Sequence, residues 1–192
     1  MIRARGLAKR FGEKRIFDGI DLELDSGAFL LVTGPNGSGK TTLLRILAGL
    51  IAPTAGELEL PERRSVGFIA HDPLVYRELT ARENLTLFAR LYGVADANAR
   101  VAGLLSTFGL GEAADVRVST FSRGMQQRLG LARVVLPSPD VLVLDEPYNA
   151  LDADGCALLD GIFNELRGGT FVVATHEPER VERRATERLA LG

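Results

Sequence analysis

The sequence predicts an α/β protein in which a mostly parallel sheet follows an antiparallel β part and is interrupted by a helical subdomain. Three observations carry this. The apolar run at residues 29–32 ends in a glycine-rich turn that opens into a helix, the strand, turn and helix order of a parallel sheet. Two more buried-strand runs, at residues 141–144 and 171–174, return late in the chain with a helical stretch between them. Between Pro73 and Phe121, β-branched runs give way to helical spacing with caps.

Taken in order, residues 2–33 read as short strands, with alternation through Ile16, Ile20, Leu22 and Leu24. The helix after the turn carries Leu43, Leu44, Ile46, Leu47 and Leu50 on one side and stops near Gly49. Strands follow at residues 57–60 and 66–70. Thr80 and Glu83 form a capping-box pattern ahead of Leu85, Leu87, Phe88 and Leu91. A second helix is expected over 97–108 despite Gly103, and a third over 153–166. The division expected is a single domain, with 1–72 and 122–192 forming the α/β core and 73–121 the helical subdomain.

Composition excludes more than it names. With 192 residues, 46% of them apolar, a single core can bury about 70% of the surface that the unfolded chain exposes. The 23 basic and 25 acidic side chains give a net charge of −2, so no global basic field holds nucleic acid. One cysteine, Cys156, and two histidines leave no disulfide and no Cys/His metal site, and the interior of a cell is the expected compartment. No run reaches the roughly 18 apolar residues of a membrane span, and the N-terminus lacks a signal-peptide core, so work at a membrane implies docking.

Gly34, Pro35, Asn36, Gly37, Ser38, Gly39, Lys40 and Thr41, with Thr42 next, fit G-x-x-x-x-G-K-[ST] between a strand and a helix. Small residues let consecutive N–H groups curl round an anion, and the helix N-terminus adds about half a positive charge. Lys40 supplies a full one, and the Thr41 hydroxyl is placed to ligate Mg²⁺ beside the β- and γ-phosphates. The motif resembles the phosphate loop of P-loop NTPases, so a RecA-like core is expected. The loop alone does not separate ATPases from GTPases or small-molecule kinases.

The second half of the chain narrows the chemistry. The run at 141–144 delivers Asp145 and Glu146 at a strand's C-terminal end, where parallel sheets bind ligands. Asp145 can hold Mg²⁺ and Glu146 can polarise the water that attacks the γ-phosphorus. The strand at 171–174 ends in Thr175 and His176, whose imidazole can donate to the γ-phosphate and hold that water in line.

Phe121, Ser122, Arg123, Gly124, Met125, Gln126, Gln127 and Arg128 resemble the L-S-G-G-Q-x-Q-R signature of ATP-binding cassette (ABC) ATPases. Phe121, Arg123 and Met125 replace the usual Leu, Gly and Gln. The resemblance covers residues 2–180 and implies ATP and Mg²⁺ as cofactors. It also implies that two subunits pair head to tail, a homodimer being expected and a heteromeric pair left open, each nucleotide lying between one P-loop and the Ser122 and Gly124 of the other copy. Phe11 stands where an aromatic usually stacks on adenine, though a core Phe would look the same. Asn149, Ala150, Leu151 and Asp152 resemble the loop that crosses to the partner.

One departure stands out. Where the family has a Gln, this chain has His71, which puts a contact to Mg²⁺ and the attacking water in doubt. If His71 keeps that role, protonation of the ring would repel Mg²⁺ and lower turnover below neutral pH. The alternative is that it only caps a strand.

The function implied is ATP hydrolysis powering transport through an integral membrane permease, from a peripheral position on the cytoplasmic face of the cell membrane. The stretches 71–80 and 122–131 resemble the haem-exporter ATPase subunit of cytochrome c maturation and related small bacterial export ATPases. The cargo so implied is haem or another small molecule. A rival is a soluble ABC-type ATPase acting on nucleic acid or the ribosome. Lys40 and Ser122 are only 82 residues apart and no heptad run separates them, which disfavours the coiled-coil type.

Three features invite less. Arg180, Arg183, Arg184 and Arg188 alternate with Glu177, Glu179, Glu182 and Glu187, which reads as a solvated helix face and not a basic patch. Cys156 reads as a core residue. Tyr76 and Leu79 are open to two readings, a groove for the membrane subunit or core packing. With only residues 177–192 beyond His176, no regulatory C-terminal domain is expected.

Overall fold

The computed structural model of the chain describes residues 1–70, 72–166 and 168–192. They form two compact units. The first, Met1–Phe68, Asp140–Glu146 and Gly168–Gly192, holds both sheets. In the smaller, β1 (Ile2–Phe11) pairs antiparallel with β2 (Lys14–Leu24) from Ile2 opposite Leu24 to Phe11 opposite Lys14. β4 (Ala55–Glu59) covers the other side of β1, also antiparallel.

The larger sheet comprises β3 (Phe29–Thr33), β5 (Val66–Ile69), β6 (Val141–Asp145), β7 (Thr170–Ala174) and β8 (Glu187–Ala190) in the order β5-β6-β7-β3-β8. β3 runs parallel to β7 and β8, and β6 parallel to β7. Every residue of β6 and β7 is buried, which is why these strands read as continuous apolar runs without alternation. Helix α1 (Lys40–Leu47) turns Leu43, Leu44, Ile46 and Leu47 into a core shared with Leu30, Val32, Val143, Val172 and Ala174. Each such aliphatic side chain contributes about 2 kcal/mol by leaving water.

The second unit, Ile69–Pro139 and Pro147–Arg167, is helical. It contains α2 (Ala81–Tyr92), α3 (Ala97–Thr107), α4 (Arg123–Val135) and α5 (Ala153–Glu165). The capping box at the start of α2 is complete. Glu83 N donates to Thr80 Oγ1 at 3.1 Å and Thr80 N to Glu83 Oε2 at 2.8 Å. Buried Asn84 accepts from Tyr76 N at 2.8 Å and donates to the Tyr76 and Thr80 carbonyls at 2.9 Å, so the preceding loop is fastened to the helix.

Four expectations are corrected. Residues 177–190 form no helix. Pro178–Arg180 is a single 3₁₀ turn and Glu187–Ala190 is strand β8, so the alternating charges are solvated on a turn and an edge strand. Leu50 lies past the end of α1 and is exposed. Cys156 is only half-buried on α5. The strand expected over 57–60 begins at Ala55 and ends at Glu59.

Candidate functional site

Strand β3 delivers the chain to Gly34, and α1 leaves from Lys40. Gly34 has φ +145°, and a Cβ there would lie 2.2 Å from the Leu191 carbonyl oxygen. Gly39 has φ +101°, and its Cβ would meet Ile16 Cγ2 at 2.6 Å. Both positions therefore require glycine, for backbone conformation and for space. The loop they allow folds back on Lys40, whose Nζ donates to the Gly34 and Pro35 carbonyls at 2.6 and 3.1 Å.

Helix α1 has no side-chain cap and no acidic residue in its first turn, so the positive end of its dipole faces the loop unneutralised. The Ser38 hydroxyl is buried and meets no hydrogen-bond partner among the described residues. Orphaned hydroxyl, ammonium and helix N-terminus together form a cradle with the chemistry of a phosphate site.

At the same sheet, the register Asp145 opposite Ala174 and Val32 opposite Ala174 aligns the carboxyl ends of β6, β7 and β3. Asp145 ends β6 and is buried. Glu146 follows at φ +51°, a left-handed conformation that costs a residue with a Cβ about 1 kcal/mol. Its N–H donates to the Ala174 carbonyl at 2.8 Å. Its Oε2 accepts from the His176 backbone N at 3.1 Å and lies 2.8 Å from His176 Nδ1. The structure thus brings Glu146 and His176 into direct contact at the edge that also carries the P-loop.

Phe11 ends β1 with 54% of its surface exposed, so it is not the core residue that the sequence left as an alternative. His71 lies outside the described residues. Among the described residues, no cluster of three or more His, Cys, Asp or Glu side chains could cage a metal. The Thr41 hydroxyl and the Asp145 carboxylate are hard oxygen ligands. They suit Mg²⁺ shared with phosphate and water, and would not make an all-protein cage.

Ser122 and Gly124 belong to the second unit. The Ser122 hydroxyl caps α4 by accepting from Met125 N at 3.2 Å, and Phe121, in place of the usual Leu, is buried. A Cβ on Gly124 would meet the Ala150 carbonyl at 3.1 Å. Arg128 of α4 pairs with Asp152, which also caps α5 by accepting from Gly155 N at 2.9 Å. The hydrogen bond from Arg128, with help from that N–H, holds the Asp152 carboxyl below its ordinary range.

The motif that opens at Ser122 and the loop 149–152 are therefore tied to each other. The sequence suggested the two separately and gave no sign of the tie. It also missed the Leu191 carbonyl against Gly34, because a backbone atom just past the end of a strand leaves no mark in residue types.

A family model described as "ABC transporter" matches residues 17–149. The cytochrome c biogenesis ATP-binding export protein CcmA of Pseudomonas putida KT2440 is 40% identical over 187 residues, covering 91% of this chain and 89% of its own. The daunorubicin resistance ATP-binding protein DrrA3 of Streptomyces coeruleorubidus is 38% identical over 187 residues, 91% of this chain, which spans only 59% of that relative's length. Among solved structures, a dimeric post-hydrolysis state of the ATP-binding cassette MJ0796 bound to ADP and Pi superposes with TM-score 0.86 at 28% identity, covering 100% of this chain and 94% of its own. Fold, phosphate loop and relatives agree, and the chain belongs to the ABC transporter family of ATP-binding, ATP-hydrolysing proteins.

Proposed function

We propose that the chain is the ATPase subunit of an exporter, two copies of which close head to tail on two ATP molecules and drive a separate integral membrane subunit. It would act at the cytoplasmic face of the cell membrane. The observation that carries this reading is the grip of His176 on Glu146 at the sheet edge that bears the P-loop.

In this reading Gly34 to Thr42 cradle the phosphates and Lys40 exchanges its two loop carbonyls for phosphate oxygens. Phe11 stacks on adenine. Thr41, Asp145 and His71 would hold Mg²⁺, which would supply positive charge to the phosphates. Glu146 polarises the attacking water. The His176 backbone N–H donates to Glu146 and so fixes the carboxylate's direction, while the imidazole donates to the γ-phosphate.

Ser122 and Gly124 would close the site from the second copy, with the 149–152 loop crossing the seam. Tyr76, stacked on Phe88 with ring centroids 5.9 Å apart and half exposed, offers an aromatic ledge to the membrane subunit. One relative is named an export protein and another a resistance protein, which favours export of a small molecule, haem among the candidates.

The test is Glu146→Gln. The variant keeps the fold and the phosphate cradle but loses the base, so it should accumulate as an ATP-bound dimer. Size-exclusion chromatography with and without ATP reads this directly, and a monomer in both runs counts against the closed pair. Affinity purification from detergent-solubilised membranes should then recover a polytopic protein with the chain. Recovery of the chain alone, repeatedly, counts against transport.

A further inference from the structure

Lys9 and Phe11 stand two residues apart on β1, so their side chains leave the same face of the strand. The Lys9 ammonium donates to the Ala52 carbonyl at 2.7 Å and lies over the Phe11 ring, 4.9 Å from its centroid. Arg10 N donates to Thr54 Oγ1 at 3.0 Å and Thr54 N to the Ala8 carbonyl at 2.8 Å. The segment that anchors the ammonium is therefore itself pinned to the strand that carries the ring. The cation stands over the ring, and Phe11 nonetheless keeps 54% of its surface exposed.

We infer that Lys9 is a positioning residue for the nucleotide base: anchored on Ala52, it holds the Phe11 ring and polarises it so that the open face stacks more tightly on adenine. This rests on the reading of Phe11 as the adenine platform.

Two physical effects act together. A cation over one face draws π density toward itself and leaves the opposite face poorer in electrons, a better partner for an electron-rich purine. An exposed ring without a neighbour would rotate among its rotamers and lose that freedom on binding. A ring already held by Lys9 loses less. Neither effect requires Lys9 to touch the nucleotide.

The experiment is a double-mutant cycle on the full chain, read as Kd for ATP by calorimetric titration. Phe11→Ala should weaken ATP binding by about tenfold to a hundredfold, the worth of one stacked base. Lys9→Met keeps the aliphatic stem and removes the charge, and should weaken ATP binding by about three- to tenfold. Lys9→Arg, which restores a cation able to reach both the ring and the carbonyl, should recover most of that loss. In the Phe11→Ala background, Lys9→Met should have no further effect.

If Lys9→Met leaves ATP affinity intact while Phe11→Ala lowers it, the inference fails and the platform stands. If Lys9→Met weakens binding equally in both backgrounds, its charge acts on the phosphates or on the fold, and the inference fails again. If Phe11→Ala itself binds ATP normally, the platform beneath the inference is gone.

Discussion

Lys40 has two uses for one charge. In the structure its ammonium is satisfied by two carbonyls of its own loop, so phosphate binding replaces neutral acceptors by anionic ones and involves no newly created cation. Those bonds are already charge-assisted on the donor side, so the gain is the added Coulomb attraction of an anion for the ammonium, on the order of a few kcal/mol near a protein surface. Lys40→Ala should therefore lose ATP affinity by roughly a hundredfold in a fluorescence titration, and an unchanged Kd would contradict the cradle. Gly34→Ala acts differently. Its new Cβ would sit 2.2 Å from the Leu191 carbonyl oxygen at φ +145°, and it should lower the melting temperature even without nucleotide, since overpacking costs about 1–3 kcal/mol. Asp152 gives a pH test. Its carboxyl is held low by Arg128 and the Gly155 N–H, so its contribution is full above the ordinary carboxylate pKa and is lost as pH falls through the lowered one. Asp152→Asn should flatten the acid limb of stability measured by thermal melting between neutral pH and strong acid, and identical limbs would refute the pairing.

At the scale of elements, what the chain made legible follows burial. β3, β6 and β7 are wholly or almost wholly buried, so the runs 29–32, 141–144 and 171–174 within them are apolar and could be read directly. The start of α2 was equally plain, because Thr80 and Glu83 cap it by side chains that only that geometry uses. Removing one half of that box by Thr80→Ala should cost about 1 kcal/mol in chemical denaturation, and no change in midpoint would mean that the loop bonds of Asn84 hold the helix end alone. β8 was misread because its four residues, Glu187 to Ala190, are exposed or half-buried. An edge strand that needs only backbone pairing on one side can carry charges indistinguishable from those of a solvated helix. The candidate site divides the same way. The phosphate loop, Asp145, Glu146 and His176 were legible from motif and strand ends. The Arg128–Asp152 pair and the Lys9 contact with Phe11 join residues whose types are ordinary, so only geometry reveals them.

For the molecule as a whole, the division of parts between units suggests how activity should respond to mixing. Lys40, Glu146 and His176 belong to the first unit, and Ser122 and Gly124 to the second. If each nucleotide is clasped by the first unit of one copy and the second unit of another, lesions in the two units should complement each other. Ser122→Asp is the informative partner for Lys40→Ala, because Asp caps a helix as well as Ser does and leaves α4 intact while setting a negative charge against the γ-phosphate. Each variant alone should hydrolyse no ATP above background. A one-to-one mixture would form mixed dimers in which one site carries both lesions and the other carries none, restoring up to about a quarter of the wild-type sites by random pairing in a two-fold assembly. Phosphate release from the mixture, compared with the sum of the separate variants, decides the matter. Activity no greater than that sum would mean that one copy completes its own site, and the head-to-tail seam would have to be abandoned.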